Sequence, residues 1–295
     1  MKSLWLGLSL VIAASTAEAA VTVVATTPCM GALVREVGGQ AVSVTVLAPP
    51  DRDVHYLIAR PSMMVALRRA DLLVAVGADL EVGWLPAAIQ GAANGKILPG
   101  QPGYFEGAAQ IDLLEKGQAA DRSRGDVHPM GNPHYCLDPE RMAGVATALA
   151  RRLATFDPAG AATFAANASA FARAVADRVP RWKAEAAGAP GVVLYHKDSS
   201  YLAALLGIPV LGYIEPIPGV PPTAAHLSDL VRRLTGSKGV VISTTFQPRD
   251  GPEFLRRNLG WSTTQLPLEV PVEADGQVYL DHIDRWARAM SGRTS

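Results

Sequence analysis

The sequence predicts an α/β protein of two lobes, each a mainly parallel sheet flanked by helices, joined by a long rigid helix. Three observations carry this. Short β-branched runs alternate with amphipathic helical patterns in both halves of the chain. No glycine interrupts residues 161–187, and apolar residues recur there at helical spacing with no strand before them. Hydrophobic residues make up 49% of the chain, and a mature length of roughly 275 residues suffices for two cores.

In the first half, Val21–Thr26 reads as a strand and about Met30–Val37 as a helix stopped by Gly38 and Gly39. Val42–Leu47 is a second strand, ended by Ala48-Pro49-Pro50. Ser62 caps a helix to Arg69, Leu72–Val76 is a third strand, and Leu80–Ile89 is helical. Residues 93–133 are rich in Gly, Pro and polar residues and read as loops with short strands. Asp138 or Pro139 then starts a helix to about Ala154.

The next helix carries Phe164, Ala168, Phe171, Val175, Val179 and Trp182 on one face. Pro180 lies inside that pattern and should kink or end it. Strands follow at Val192–Tyr195, Val210–Ile214, Val240–Ser243 and about Thr263–Leu268. Helices near Ser200–Leu206, Ala224–Leu234, Glu253–Asn258 and Val278–Met290 alternate with them. The resulting division is 20–157 for the first lobe, 158–187 for the linking helix and 188–295 for the second lobe. No internal repeat stands out.

Residues 1–19 read as a signal peptide. Lys2 gives the positive start, Leu4–Ala14 the apolar stretch, and Ala17-Glu18-Ala19 the cleavage site. No cysteine stands at a lipid-attachment position after the apolar stretch, so the expected product is a soluble, exported protein of the periplasm. Lys+Arg and Asp+Glu number 27 each, which argues against a nucleic-acid or anionic-membrane partner. Cys29 and Cys136 would share an oxidising compartment. Their readings are a disulfide or two small buried side chains, with thiolate metal ligation behind both.

Of six histidines, three stand in separate segments at the mouths of α/β units: His55, His134 and His196. Each alone is more often structural than a ligand, but together they point to a metal site. Neutral imidazole is a common Zn²⁺ ligand, and ligands from distant segments meet only in the folded chain. No pair of histidines at helical spacing encloses a Glu, so a zincin-type hydrolase site is not visible.

These segments resemble the periplasmic substrate-binding proteins that deliver Zn²⁺ or Mn²⁺ to ABC transporters, the zinc/manganese cluster (A-I). The likeness rests on Asp53-Val54-His55 with Arg60-Pro61-Ser62, on Asn132-Pro133-His134-Tyr135 with Leu137-Asp138-Pro139, and on Tyr195-His196 with Tyr201. Arg69–Leu73 and Gly77–Glu81 match as well, and the likeness spans essentially the whole mature chain. It implies two lobes, a rigid linking helix, a metal in the cleft between them, and a membrane permease as partner to a monomer.

The chain departs from that pattern in two places. The family's long His-rich acidic loop is reduced to residues 121–129, with His128 alone, which reads as a fourth nitrogen or a plain loop residue. The family's usual fourth ligand, an Asp after the last strand, aligns with Pro267, two residues before Glu269. Glu215, at a strand end before a Pro-x-Pro-Gly turn, is the expected fourth ligand with Glu269 as substitute; otherwise it caps the helix near Thr223 or faces solvent. His226 and His282 read as solvated helix faces, and Tyr56, Tyr135 and Trp84 as packing around the cleft.

The expected function is binding rather than catalysis. Three imidazoles and a carboxylate suit Zn²⁺ and make Mn²⁺ less favoured. A secreted zinc metallohydrolase with a three-histidine site is the alternative, though no general base stands close to any ligand. An adhesin or metal-independent interaction module would leave the histidine pattern unexplained.

Overall fold

A computed structural model describes residues 20–117 and 125–293 of the chain. The proposed signal peptide lies outside them. Two four-stranded sheets form, and every strand pair is parallel. The first holds β1 (Val21–Ala25), β2 (Val42–Val46), β3 (Leu72–Ala75) and β4 (Tyr104–Glu106) in the order β2-β1-β3-β4. The second holds β5 (Val192–Leu194), β6 (Val210–Tyr213), β7 (Val240–Thr244) and β8 (Ser262–Leu266) in the order β6-β5-β7-β8.

Burial explains which strands are central. β3, β5 and β7 are buried at every residue and β1 at all but one, as continuous apolar runs covered on both faces require. The edge strand β2 is Val-Ser-Val-Thr-Val, and its exposure alternates. The two sheets repeat one order, so each has a switch point between its two central strands. Ligands of open parallel sheets bind at such points, off the carboxyl ends of the strands.

The helices are α1 (Pro28–Gly38), α2 (Pro61–Arg69), α3 (Leu85–Ala92), α4 (Pro139–Leu153), α5 (Ala161–Ala186), α6 (Ser200–Leu206), α7 (Ala224–Leu234), α8 (Asp250–Leu259) and α9 (Gly276–Met290). The starts of α1 and α4 follow one rule. Thr27 and Asp138 cap them by accepting from the amides of Met30 and Arg141, and a proline takes the first helical position. α5 buries the six apolar residues that its spacing picks out and packs against α1, α4, α6 and α9, so it touches both lobes. One hydrophobic core runs through both lobes, and a smaller one lies under α7 and α8.

Four expectations need correction. Ser62 does not cap α2, which starts at Pro61 with Arg60 at the cap position. Of the two outcomes expected at Pro180, a kink or a stop, the stop does not occur: α5 continues to Ala186. Residues 80–84 form turns rather than helix: Ala78 and Asp79 have φ of 49° and 65°, and the buried Glu81 carboxylate accepts from the amides of Val76 (2.8 Å) and Gly77 (3.0 Å). The helix starts only at Leu85, with Pro86 in its first turn. His282 is buried and not a solvated face, because α9 packs against α1, α5, α6 and β7. Cys29 and Cys136 form a disulfide, with Cα atoms 6.4 Å apart. Among the described residues no helix is long and apolar enough to cross a membrane.

Candidate metal centre

His55 stands in a short 3-10 turn, Val54–Tyr56, in the connection after β2. One carboxylate oxygen builds both the turn and the ring's orientation: Asp53 Oδ1 lies 3.0 Å from the His55 amide and 2.7 Å from its Nδ1. The Trp84 indole N–H donates to the carbonyl of Val54 at 2.9 Å and pins the turn from beneath. Burial pushes the Asp53 carboxyl up, but its hydrogen bond and charge attraction to His55 outweigh that and hold it below the usual value.

His134 is held by its motif neighbours. Asn132 Oδ1 accepts from the His134 amide at 2.9 Å, while Asn132 Nδ2 reaches across to the Lys197 carbonyl at 3.1 Å. The Tyr201 hydroxyl donates to the Asn132 carbonyl at 2.6 Å, and the Tyr135 hydroxyl to Val76 O at 2.9 Å. One asparagine thus aligns His134 with the segment that carries the third histidine. Cys136, two residues on, anchors the same turn through its bridge to Cys29 at the start of α1.

His196 lies two residues past the end of β5, at the switch point of the second sheet. Its Nδ1 lies 2.7 Å from Glu215 Oε2, and that oxygen also accepts the Gly219 amide at 2.8 Å. Burial alone would lower the His196 pKa; the Glu215 hydrogen bond and the nearby carboxylates Asp198, Glu215 and Asp53 reverse that and raise it. For His134 burial lowers the pKa, and repulsion from the other three imidazoles adds to it.

The three rings converge. One nitrogen from each of His55, His134 and His196 lies within 4.8 Å of the others, and His134 Nε2 is 3.1 Å from His196 Nε2. The Nδ1 atoms of His55 and His196 donate to carboxylates, which leaves their Nε2 lone pairs facing the cluster. A small cavity of about 30 Å³ lies against these rings and is also lined by Cys136, Asp198 and Glu269. On the His196–Glu215 side the cluster meets a wide cleft of about 940 Å³.

The structure therefore brings His55, His134 and His196 together and sets Glu215 behind His196, outside the group of facing nitrogens. Glu269 is buried at the cavity wall, where its Oε2 accepts the Cys29 amide at 2.8 Å and burial pushes its pKa up to about 7. The joined sulfurs beside it are not thiolate donors. His128 stands much closer than a plain loop residue, with Nε2 3.2 Å from His55 Nε2. Its position in a loop six residues before His134 was the only hint in the sequence. His226 stays apart, with Nε2 3.0 Å from the Tyr213 carbonyl. Trp84 and Tyr135 are packed as expected, whereas Tyr56 is 61% exposed.

The two-lobed architecture and this cluster of facing nitrogens are those of a metal-binding protein. The family model described as ZnuA, the periplasmic component A of the zinc-uptake complex, matches residues 23–292, and the chain belongs to that family. A crystal structure of ZnuA is 21% identical, with a TM-score of 0.76 over 92% of this chain and 98% of that one. FpvC from Pseudomonas aeruginosa, in complex with Mn²⁺, is 22% identical, with a TM-score of 0.75 over 93% and 99%. The laminin-binding protein Lmb of Streptococcus agalactiae, described as having adhesin and metal-transporting activity, is 17% identical, with a TM-score of 0.74 over 92% and 99%. The family is one of solute-binding proteins rather than enzymes.

Proposed function

We propose that this protein captures a divalent transition metal ion, Zn²⁺ in preference to Mn²⁺, between its lobes in the periplasm and passes it to an ABC-transporter permease. His55, His134 and His196 are the ligands, and Glu215 belongs to the site through its hold on His196. The observation that carries this reading is the convergence of three imidazole nitrogens, two of them aimed by carboxylates. Zn–N bonds of about 2.0–2.1 Å put tetrahedral ligand nitrogens about 3.3–3.4 Å apart. The 3.1 Å between His134 and His196 is close to that edge. Imidazole donors favour Zn²⁺ over Mg²⁺ and Ca²⁺, which want oxygen, and over Mn²⁺. Related structures carrying Ni²⁺ and Mn²⁺ support a divalent cargo in general.

The test is a zinc titration of metal-free protein beside His134→Ala. The expected result is one tightly held ion per chain in the wild type and loss of tight binding in the variant, with the fold kept. Undiminished zinc affinity in the variant would sink the assignment.

A further inference from the structure

His128 lies on a strap of chain that runs beside the histidine cluster and bonds to both lobes. Residues 125–131 precede the Asn132–His134 motif and touch both lobes. The Asp126 amide donates to the Pro218 carbonyl of the second lobe at 2.7 Å, and the Tyr56 hydroxyl of the first lobe donates to Asp126 Oδ2. Gly125, at φ 150°, passes so close to the second lobe that a Cβ there would stand 2.3 Å from the Pro218 carbonyl oxygen. Pro218 and Gly219 belong to the same turn that Glu215 stabilises behind His196. The strap's inward side chain is His128, whose ring centroid lies 5.3 Å from that of His55 and 6.0 Å from that of His134.

We propose that His128 is the fourth ligand of the metal centre and that the strap carrying it closes the site over the bound ion. The inference rests on the three-histidine reading above and extends it. Two distances support it. The Nε2 atoms of His55 and His128 are 3.2 Å apart, and those of His134 and His196 are 3.1 Å apart. Both approach the edge of about 3.3–3.4 Å that tetrahedral Zn–N coordination requires. Two opposite edges of a four-nitrogen shell are thus nearly formed. His128 stands outside the group of nitrogens that all lie within 4.8 Å of one another, so the strap must close further to complete the shell. Glu215 has the facing oxygen engaged by His196 and Gly219, and Glu269 Oε2 is held by the Cys29 amide.

Four neutral nitrogens leave the ion's charge to the surroundings, where Asp53 and Glu215 supply carboxylates one bond further out. An all-imidazole shell also shifts preference away from Mn²⁺, which favours oxygen donors, toward Zn²⁺ and Cu²⁺. Because the strap bonds to both lobes, an ion held by His128 leaves only after the strap lifts.

Three measurements test this. X-ray absorption of zinc-loaded wild type should count four imidazole nitrogens and no oxygen in the inner shell. His128→Ala should lose more zinc affinity than the ~10–100-fold typical of an outer-shell change and should release zinc faster to a competing chelator. Gly125→Val touches no ligand yet unseats the strap from Pro218; it should speed release while circular dichroism stays unchanged. Three nitrogens plus an oxygen in the wild type, or wild-type affinity and release in His128→Ala, would overturn the proposal. If His134→Ala still abolishes binding in that case, the three-histidine reading stands and only the strap is refuted.

Discussion

Glu215 Oε2 is 2.7 Å from Nδ1 of His196 and takes the Gly219 amide with the same oxygen, so the carboxylate fixes which His196 nitrogen faces the metal centre. Glu215→Gln keeps the size but replaces the charged acceptor by a neutral amide. It should lower zinc affinity by about 10–100-fold, the usual cost of losing an outer-shell partner. The number of nitrogens around the ion should not change. X-ray absorption of the loaded variant checks this, and an inner-shell oxygen present in the wild type but missing in the variant would make Glu215 a direct ligand instead.

Zinc affinity should fall as pH falls from about 7.5 to about 5.5, because each ligating imidazole must give up its proton and the reference value is about 6.5. The sign differs in strength between ligands. Burial and neighbouring imidazoles hold His134 well below the usual value, so it stays available in acid. Glu215 and the other carboxylates raise His196, so protons compete there first. Glu215→Gln should therefore flatten the upper part of the pH dependence as well as weaken binding. Equal slopes in the two proteins, measured by competition with a chelator at each pH, would contradict this.

The three histidines were legible because each ends an element whose pattern is local: a strand before His196, a Pro-rich loop before α4, a turn before α2. The two-lobed fold was legible for the same reason, since apolar runs and glycine stops repeat in both halves. What escaped depends on contacts distant in sequence. Glu215 was expected to close a strand as the fourth ligand; β6 ends two residues earlier at Tyr213, and only packing decides that the Glu215 oxygen meets His196 Nδ1. His128 lies in a segment without periodicity, and its approach to His55 goes with a distant contact, the Asp126 amide on the Pro218 carbonyl. His282 looked solvated because α9 shows polar residues around it, yet the helix is packed by elements of both lobes. The turn before α3 reads as helix until Glu81 is seen capping the amides of Val76 and Gly77.

The Cys29–Cys136 bridge spans 107 residues and ends two positions after His134. Closing a long loop restricts the unfolded chain, and loss of such a bridge typically costs about 2–4 kcal/mol. Reduction, or the Cys29→Ser/Cys136→Ser double variant, should lower the free energy of unfolding by that order. It should also weaken zinc binding, because the His134 turn loses its tether to α1. Calorimetry and a zinc titration of the double variant check the two effects separately. A stability loss with unchanged zinc affinity would show that the Asn132 and Tyr135 hydrogen bonds alone hold His134.

Two buried groups pull the metal-free protein's stability in opposite directions with pH. Burial, outweighing the hydrogen bond to the Leu268 carbonyl, lowers His282 to about 4. Below its unfolded value of about 6.5 the unfolded chain takes up a proton that the folded one refuses, so this group's contribution is full at neutral pH and lost toward pH 4. Burial raises Glu269 to about 7. Between about 4.5 and 7 the folded chain holds a proton that the unfolded one has released, so this contribution is present in acid and lost as pH rises. Each shift corresponds to on the order of 3 kcal/mol, and over the shared window the two largely offset one another. Glu269→Gln removes one side of that balance, since Gln can still accept the Cys29 amide but does not titrate. Relative to wild type the variant should gain about 2–3 kcal/mol between pH 4.5 and pH 7.5, measured by urea unfolding with chelator present. The ligand histidines are common to both proteins and cancel in the difference. A difference that stayed constant across that range would mean Glu269 keeps an ordinary carboxyl pKa despite its burial.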